Sequence, residues 1–384
     1  MKRPACRTCA PGRPELGWRA PVSASLPVIP FIPANRPARA PRAAASAFSA
    51  LPSDLARYGY KNPSHAFGCI QRPWLWQGGA PALGREARAL SSLSFALPSV
   101  RSQSPAADGS TKLLLEVENG DRVEAVHMPR AGRVTLCISS QVGCAMGCIF
   151  CATATMGFGR HLLAHEIVGQ VLASVHALGP RHPGDITLVF MGMGEPLHNL
   201  PEVGRAIAVL CDPAGLGLSP KRITVSTSGL VPEIAQLGEL QPRPLLAISV
   251  NATTDEQRSE LMPIGRRYPL AELRSALERF PVRPRERITV EYVLLAGIND
   301  TPADARRLAQ FCASFPHQIN LIPFNEHRAT EFRAPSEDTV DAFARAVLGE
   351  RRTVLTVRRS RGRDVGAACG QLVLGSARSE RRAP

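Results

Sequence analysis

No run of apolar residues in this 384-residue chain is long enough to cross a bilayer. The nearest candidate, Leu26 to Pro33, is cut by Pro27, Pro30 and Pro33, so neither a membrane span nor a signal-peptide core is expected. A glycine-rich dinucleotide fingerprint is also missing, which argues against a Rossmann fold. The ten cysteines lack the regular spacing of a disulfide framework. In a chain of this length such residues more often bind metal or carry out redox chemistry, which points to a reducing compartment. Acidic residues are scarce at the start: residues 1–50 hold eight basic residues and one acid, Glu15.

Hydrophobic residues at 44% and charged residues at 20% give the profile of a globular protein. The length allows one large catalytic domain plus a small accessory one. With 46 Lys plus Arg against 32 Asp plus Glu, the net charge is +14. That surplus fits a polyanionic partner such as nucleic acid, and equally a basic tail on an Arg-rich chain.

Residues 1–50, rich in Pro, Ala and Arg, show no helical or strand period. They read as disordered or as an upstream extension, and their composition also fits an organellar transit peptide. Residues 51–111 read as a small helical accessory module with Trp74-Leu75-Trp76 as its apolar nucleus. A hairpin is expected next, Leu113–Val117 against Val123–Val126, turning at Asn119-Gly120. After it, strands at Val134–Ile138, Ile186–Met191, Ile223–Ser226, Leu245–Asn251, Ile288–Leu295 and Ile319–Phe324 alternate with helical patterns. The helices fall near 164–178, 200–210, 230–239, 269–280, 301–315 and 336–349. Strand then helix, six times over, requires right-handed crossovers and a parallel sheet. The fold class is therefore α/β, a partial (β/α)6 barrel whose functional groups belong at the C-terminal strand ends. The catalytic domain is placed at 112–373 and a basic tail at 374–384.

The strongest chemical signal is Cys144-Ala145-Met146-Gly147-Cys148-Ile149-Phe150-Cys151, just after the first barrel strand. Soft thiolates suit zinc or iron–sulfur clusters. A structural zinc site usually takes four ligands, and this local set stops at three. Three protein ligands on a four-iron cluster leave one iron open to a chelating substrate.

The Cys-x-x-x-Cys-x-aromatic-Cys run resembles the radical S-adenosylmethionine signature. Further motifs narrow the likeness: Cys137–Cys144, Met191–Leu197, Ser226–Gly229, Ser249–Ala252, Ile322–Asn325, and Arg361-Gly362 with Ala368–Leu372. Together, over about residues 112–373, they resemble the dual-specificity methyltransferases that act on carbon 2 of an adenine in ribosomal and transfer RNA.

The resemblance implies a [4Fe–4S] cluster on Cys144, Cys148 and Cys151, and two S-adenosylmethionine molecules per turnover. Carbon 2 of adenine is electron-poor and cannot displace a methyl group from a sulfonium, so in the family the methyl is first carried by the protein. Cys369 matches the residue that becomes S-methylcysteine, and Cys137 the partner that forms a transient disulfide with it. Glu124 matches the proton acceptor; on its own residues it reads as a solvated carboxylate on an edge strand. Gly194, Glu195, Ser226, Ser249, Val250, Asn251 and Asn325 match positions around S-adenosylmethionine. Many relatives carry His where Asn251 stands, and an amide replaces one imidazole hydrogen bond.

The other cysteines have blander readings. Cys211 and Cys312 read as buried small hydrophobes, and Cys6-Arg7-Thr8-Cys9 is an isolated pair in the Pro-rich leader. Arg358, Arg359, Arg361 and Arg363 form a basic run expected to meet RNA phosphates. The partners implied are 23S ribosomal RNA, transfer RNA and a flavodoxin- or ferredoxin-type electron donor. The expected form is a cytoplasmic monomer with no membrane. Two rival readings stand beside this one: a sibling enzyme directed at carbon 8, and a non-catalytic zinc- or cluster-bearing RNA-binding protein.

Overall fold

Alternation of apolar and polar residues builds the first sheet strands. In the computed structural model, which describes residues 46–57, 62–73, 94, 96–178, 185–350 and 353–374, Leu113 and Leu115 of one strand and Val123 and Ala125 of the next are buried. These described residues all belong to one compact unit, 34–384. Expectations resting on Cys6, Cys9, Trp74, Trp76 and the tail from 375 lie outside them.

The chain enters through two short helices, α1 (Pro52–Arg57) and α2 (Pro63–Gln71). Their Leu55, Phe67 and Ile70 are fully buried, as is Phe48 before them. A polar strand, β1 (Ser99–Pro105), then pairs antiparallel with β2 (Thr111–Glu116). The sheet thus starts earlier than the expected boundary at 112. The β2 strand forms the expected hairpin with β3 (Arg122–Arg130), and β3 pairs with β4 (Arg133–Cys137). Asn119 at φ 61° and Gly120 at φ 75° supply the left-handed turn conformations. Glu124 therefore lies on an interior strand and is buried, which overturns the reading of a solvated edge carboxylate.

A small ribbon of β5 (Gln141–Gly143) and β6 (Phe158–His161) carries the loop with the three cysteines. The barrel units follow: α3 (Ala164–Leu178), β7 (Ile186–Phe190), α4 (Leu200–Cys211), β8 (Ile223–Thr227), α5 (Val231–Glu239) and β9 (Leu245–Ser249). Two helices, α6 (Asp255–Leu261) and α7 (Leu270–Arg279), precede β10 (Ile288–Leu294). Then come α8 (Pro302–Cys312), β11 (His317–Pro323), α9 (Glu337–Glu350) and β12 (Val354–Val357). The ten strands lie in the order β1-β2-β3-β4-β7-β8-β9-β10-β11-β12. From β4 onward every pairing is parallel.

All six expected strands and six expected helices are present. A seventh parallel strand, β12, and the polar helix α6 were not anticipated. Residues at the ends of β7 and β11 line one cavity. Four strand spacings of a flat sheet would separate them by roughly 19 Å, so the sheet curls. Its two ends do not pair, and the barrel is open. The inward face carries the chemistry. On β10, Ile288, Val290, Tyr292 and Leu294 are buried toward one side, while Glu291 and Val293 turn into the cavity.

Candidate active site

The loop after β4 is shaped by backbone constraints before any cofactor is considered. Gly143 has φ 73°, and a Cβ there would lie 1.9 Å from the Gly157 carbonyl. That carbonyl accepts from the Cys144 N–H at 2.8 Å, so the loop closes on itself where the first cysteine stands. The Cys151 N–H donates to the Cys148 carbonyl at 3.0 Å, and the Ile149 N–H to Leu261 of α6 at 3.1 Å.

Cys144, Cys148 and Cys151 face one cavity. Burial pushes all three thiols up; Cys148 and Cys151 push Cys144 further, and Cys151 does the same to Cys148. Protonated thiols crowded in this way are unfavourable as thiolates unless a cation joins them. Soft sulfur donors gathered on one cavity wall are a chemistry that an iron–sulfur cluster takes, each thiolate binding a different iron.

Glu195 follows β7 in the same cavity. Its carboxylate accepts from the Leu197 N–H at 3.1 Å and from the Ser228 N–H and hydroxyl, each at 2.8 Å. Burial raises its pKa against these donors. Gly194, at φ 99°, makes its close approach to Gln141, where a Cβ would come within 2.6 Å of the Gln141 side chain. Gly194 itself also lines the cavity. Gln141 in turn accepts from the Glu195 N–H at 2.8 Å, and its amide nitrogen meets His161 at 3.0 Å and His198 at 3.1 Å. Gln141 is thus a positioning residue for the Glu195 loop.

Ser226, Ser249, Asn251 and Asn325 line the cavity as expected, whereas Val250 does not. The Val250 side chain is buried, and its N–H donates to the Glu291 carbonyl at 3.0 Å. Asn251 accepts from the Val293 N–H at 2.9 Å, which fixes its amide with the nitrogen beside Met262. Asn325 does more than line a wall: its Nδ2 donates to the Cys369 carbonyl at 3.1 Å and to the Ser360 hydroxyl at 3.0 Å.

Those contacts hold the distant C-terminal loop against the cysteine loop. The Ala152 N–H donates to the Gly370 carbonyl at 2.8 Å, and the Thr153 hydroxyl to the Leu372 carbonyl at 2.6 Å. Cys369 consequently lines the cavity of the three thiols. It also lines a second, smaller cavity together with Cys137 and Arg358. Cys137 is buried; desolvation first, and Cys369 next, push its thiol up to about 12, while Arg358 draws it down.

Arg358 departs from the expected basic rim. It turns inward to Glu291 at 3.4 Å, and its guanidinium is held up first by Cys369, then by Glu291 and Cys137. Arg361 donates to the Pro129 carbonyl at 2.5 Å and pairs with Asp108 at 3.5 Å. Arg359 pairs with Glu337. The run is largely spent on holding the C-terminal segment, because three of its four guanidinia find internal acceptors.

Glu124 lies on the same sheet face as Cys137, since Val126 pairs with Cys137 and side chains repeat every second residue. Lys112 holds its Oε1 at 3.0 Å. Burial raises its pKa, and Lys112 and the Val373 main chain oppose the rise.

Glu291 and Arg358 stand at the junction of the two cavities, and sequence reasoning passed over Glu291 altogether. The available signal was a single carboxylate at the centre of the apolar run Ile288–Leu294.

Comparison with known proteins bears on this geometry. Residues 138–311 match the Radical SAM superfamily. Over 265 residues, 69% of this chain and 75% of the relative, the sequence is 51% identical to the dual-specificity RNA methyltransferase RlmN of Pelobacter propionicus. It is 52% identical over 265 residues to that of Geobacter sulfurreducens, covering 69% of this chain and 72% of the relative. A crystal structure of a radical SAM methyltransferase from Sphaerobacter thermophilus superimposes with a TM-score of 0.79 at 35% identity, covering 85% of this chain and 99% of that one.

Proposed function

The chain belongs to the family of dual-specificity RNA methyltransferases RlmN, radical S-adenosylmethionine enzymes that use a [4Fe–4S] cluster, and we propose that it methylates carbon 2 of an adenine in 23S ribosomal RNA and in transfer RNA through a methyl carried on Cys369. In this reading Cys144, Cys148 and Cys151 hold one cluster per chain. The cluster, when bound, supplies the electron that splits S-adenosylmethionine and so provides a radical able to take hydrogen from an unactivated methyl group.

The remaining work falls to the chain's own side chains. The Cys369 sulfur displaces the methyl of a first S-adenosylmethionine, giving S-methylcysteine and releasing S-adenosylhomocysteine, with the Arg358 guanidinium facing it across the small cavity. The methyl then sits on the wall shared with the three cysteines, where hydrogen abstraction needs it. A second S-adenosylmethionine is consumed in that step. Glu195, with its acceptors oriented by Ser228 and Leu197, offers a carboxylate to the cofactor's ammonium. Ser226, Ser249, the oriented Asn251 and the carbonyl side of Asn325 take the other polar contacts, while Val250 contributes through its main chain. The methylene left on Cys369 bonds to the adenine carbon, the adduct gives one electron back to the cluster, and Glu124 takes the proton from that carbon. The Cys137 thiolate then attacks the Cys369 sulfur and breaks its bond to the methylene, so that the disulfide forms and the freed carbon takes up a proton as the new methyl group. The cavity is walled by Phe150, Phe190, Met262 and Phe324, which excludes water from the radical step.

One observation carries this reading: Cys369 opens onto the three-thiol cavity on one side and onto Cys137 on the other. A cluster-bearing RNA binder has no need of that second pair. Among the described residues no helix is long and apolar enough to cross a membrane. The proposed form is a cytoplasmic monomer reduced by a flavodoxin or ferredoxin. Residues 51–111 serve as the accessory module, and exposed Arg363 meets RNA phosphates.

The test is Cys369→Ala, with the target adenine mapped by mass spectrometry. RNA methylation is expected to vanish while iron and sulfide content stay at the wild-type level. An active variant would overturn the carrier mechanism. A wild-type product methylated at carbon 8 would overturn the regiochemistry alone.

A further inference from the structure

The largest fully buried side chain among the described residues is a charged one, Arg258 on α6. Its guanidinium donates only to main-chain carbonyls, Ser228 at 2.5 Å and Tyr268 at 3.4 Å, and its Nε has no partner. Arg243 shows the usual arrangement for a buried arginine, a carboxylate at 2.7 Å from Glu286. No Asp or Glu pairs with Arg258 in that way among the described residues. The slot is built for it all the same: at Gly229, φ 108°, a Cβ would stand 3.0 Å from Nη2. An uncompensated buried cation is costly, so a missing anion is the natural question.

Its nearest source is the cysteine loop. The segment that follows Arg258 packs on that loop through the Ile149 N–H to Leu261 carbonyl bond at 3.1 Å. Pro263 stands 3.5 Å from the place a Gly147 Cβ would occupy. Arg258 and Cys148 lie close enough for their charges to interact. Desolvation brings Arg258 down to about 10, which leaves it cationic at neutral pH.

We propose that Arg258 is the fixed countercharge of the iron–sulfur cluster, making its one-electron reduction easier. The inference rests on the reading that Cys144, Cys148 and Cys151 hold that cluster. Three thiolates on a doubly positive four-iron core carry one net negative charge, and one added electron makes it two. The electron comes from a low-potential donor of the flavin or iron–sulfur class. A cation held nearby without its own anion favours the more negative form. Arg258 also orders Ser228, and through it Glu195, so activity alone would not separate the two roles. A midpoint potential does.

The experiment is an anaerobic redox titration of the reconstituted full-length protein, followed by the electron paramagnetic resonance signal of the reduced cluster. Arg258→Met is expected to lower the reduction equilibrium constant at least tenfold, a fall of 59 mV for one electron. Arg258→Lys should stay near the wild-type midpoint. Asp255→Asn keeps the side-chain oxygen that accepts from Leu270 and removes a carboxylate that Arg258 feels; its midpoint should rise. Arg258→Gln, which is uncharged but keeps N–H donors for the Ser228 carbonyl, should show the same fall and decides the matter if Arg258→Met fails to fold or to take up iron. Cluster-loaded variants that all keep the wild-type midpoint overturn the role of Arg258. A wild-type protein that takes up no iron overturns the cluster reading itself.

Discussion

Two groups of thiols meet in this molecule, and their surroundings differ. Cys144, Cys148 and Cys151 crowd one another in a largely apolar cavity, where each raises the cost of ionising its neighbour. Cys137 and Cys369 share a smaller cavity with a guanidinium, that of Arg358. The first arrangement asks for a polynuclear cation to be brought in. The second keeps a permanent cation of its own beside its sulfurs. On the proposed reading, metal binding belongs to the first group and covalent chemistry to the second.

The largest test of that division replaces one sulfur from each group. Cys148→Ala should lose bound iron and all RNA methylation. Cys137→Ala should keep its iron and still accept a methyl on Cys369, yet fail to release methylated RNA. Iron analysis, intact-protein mass and gel-shifted protein–RNA adducts read the three quantities. Loss of iron in Cys137→Ala would break the comparison at its base.

A smaller effect is expected from the cation. Arg358→Leu should slow methyl transfer to Cys369 roughly tenfold or more, equal to about 1.4 kcal/mol of activation free energy. Arg358→Lys should recover most of it, and neither change should alter iron content. The readout is methyl incorporation per chain over time by mass spectrometry, without RNA. An unchanged rate in Arg358→Leu would mean that Glu291 alone engages the guanidinium.

The two groups were not equally legible in the sequence. The cysteine triplet announces itself because its ligands are local, and the six strand–helix units because their periods are regular. The second group is assembled by topology. Cys137 ends β4, Glu291 is central in β10, and Arg358 and Cys369 follow β12. Only parallel pairing across the curled sheet brings them together. Arg358 read as one more phosphate-facing side chain because it stands in an Arg-rich run, and Arg258 drew no notice because arginine is seldom fully buried. Its helix, Asp255–Leu261, was missed for a related reason: apart from Leu261 it has no apolar stripe, and the Thr254 cap and the buried guanidinium hold it. The edge strands β1 and β12 are short and polar or exposed, so packing does not write a clear period into them.

The smallest expected effect is one of stability, at Glu124, which belongs to the sheet face of Cys137. Burial raises its carboxyl pKa above the ordinary range. The folded chain therefore holds this proton more tightly than the unfolded chain. By linkage, that contribution to stability is complete below the ordinary carboxylate pKa and is lost as pH rises through the raised one. Glu124→Gln removes the titration while leaving an acceptor for Lys112. Cluster-free wild-type protein should lose melting temperature relative to the Gln variant as the pH is raised from about 4 toward neutrality. The same substitution should leave methyl loading of Cys369 intact and lower RNA methylation by roughly 10²–10⁴-fold, as expected for a lost general base. If the two melting curves keep a constant separation across that range, the carboxyl ionises normally and the Cys137 face of the sheet is wetter than its burial implies.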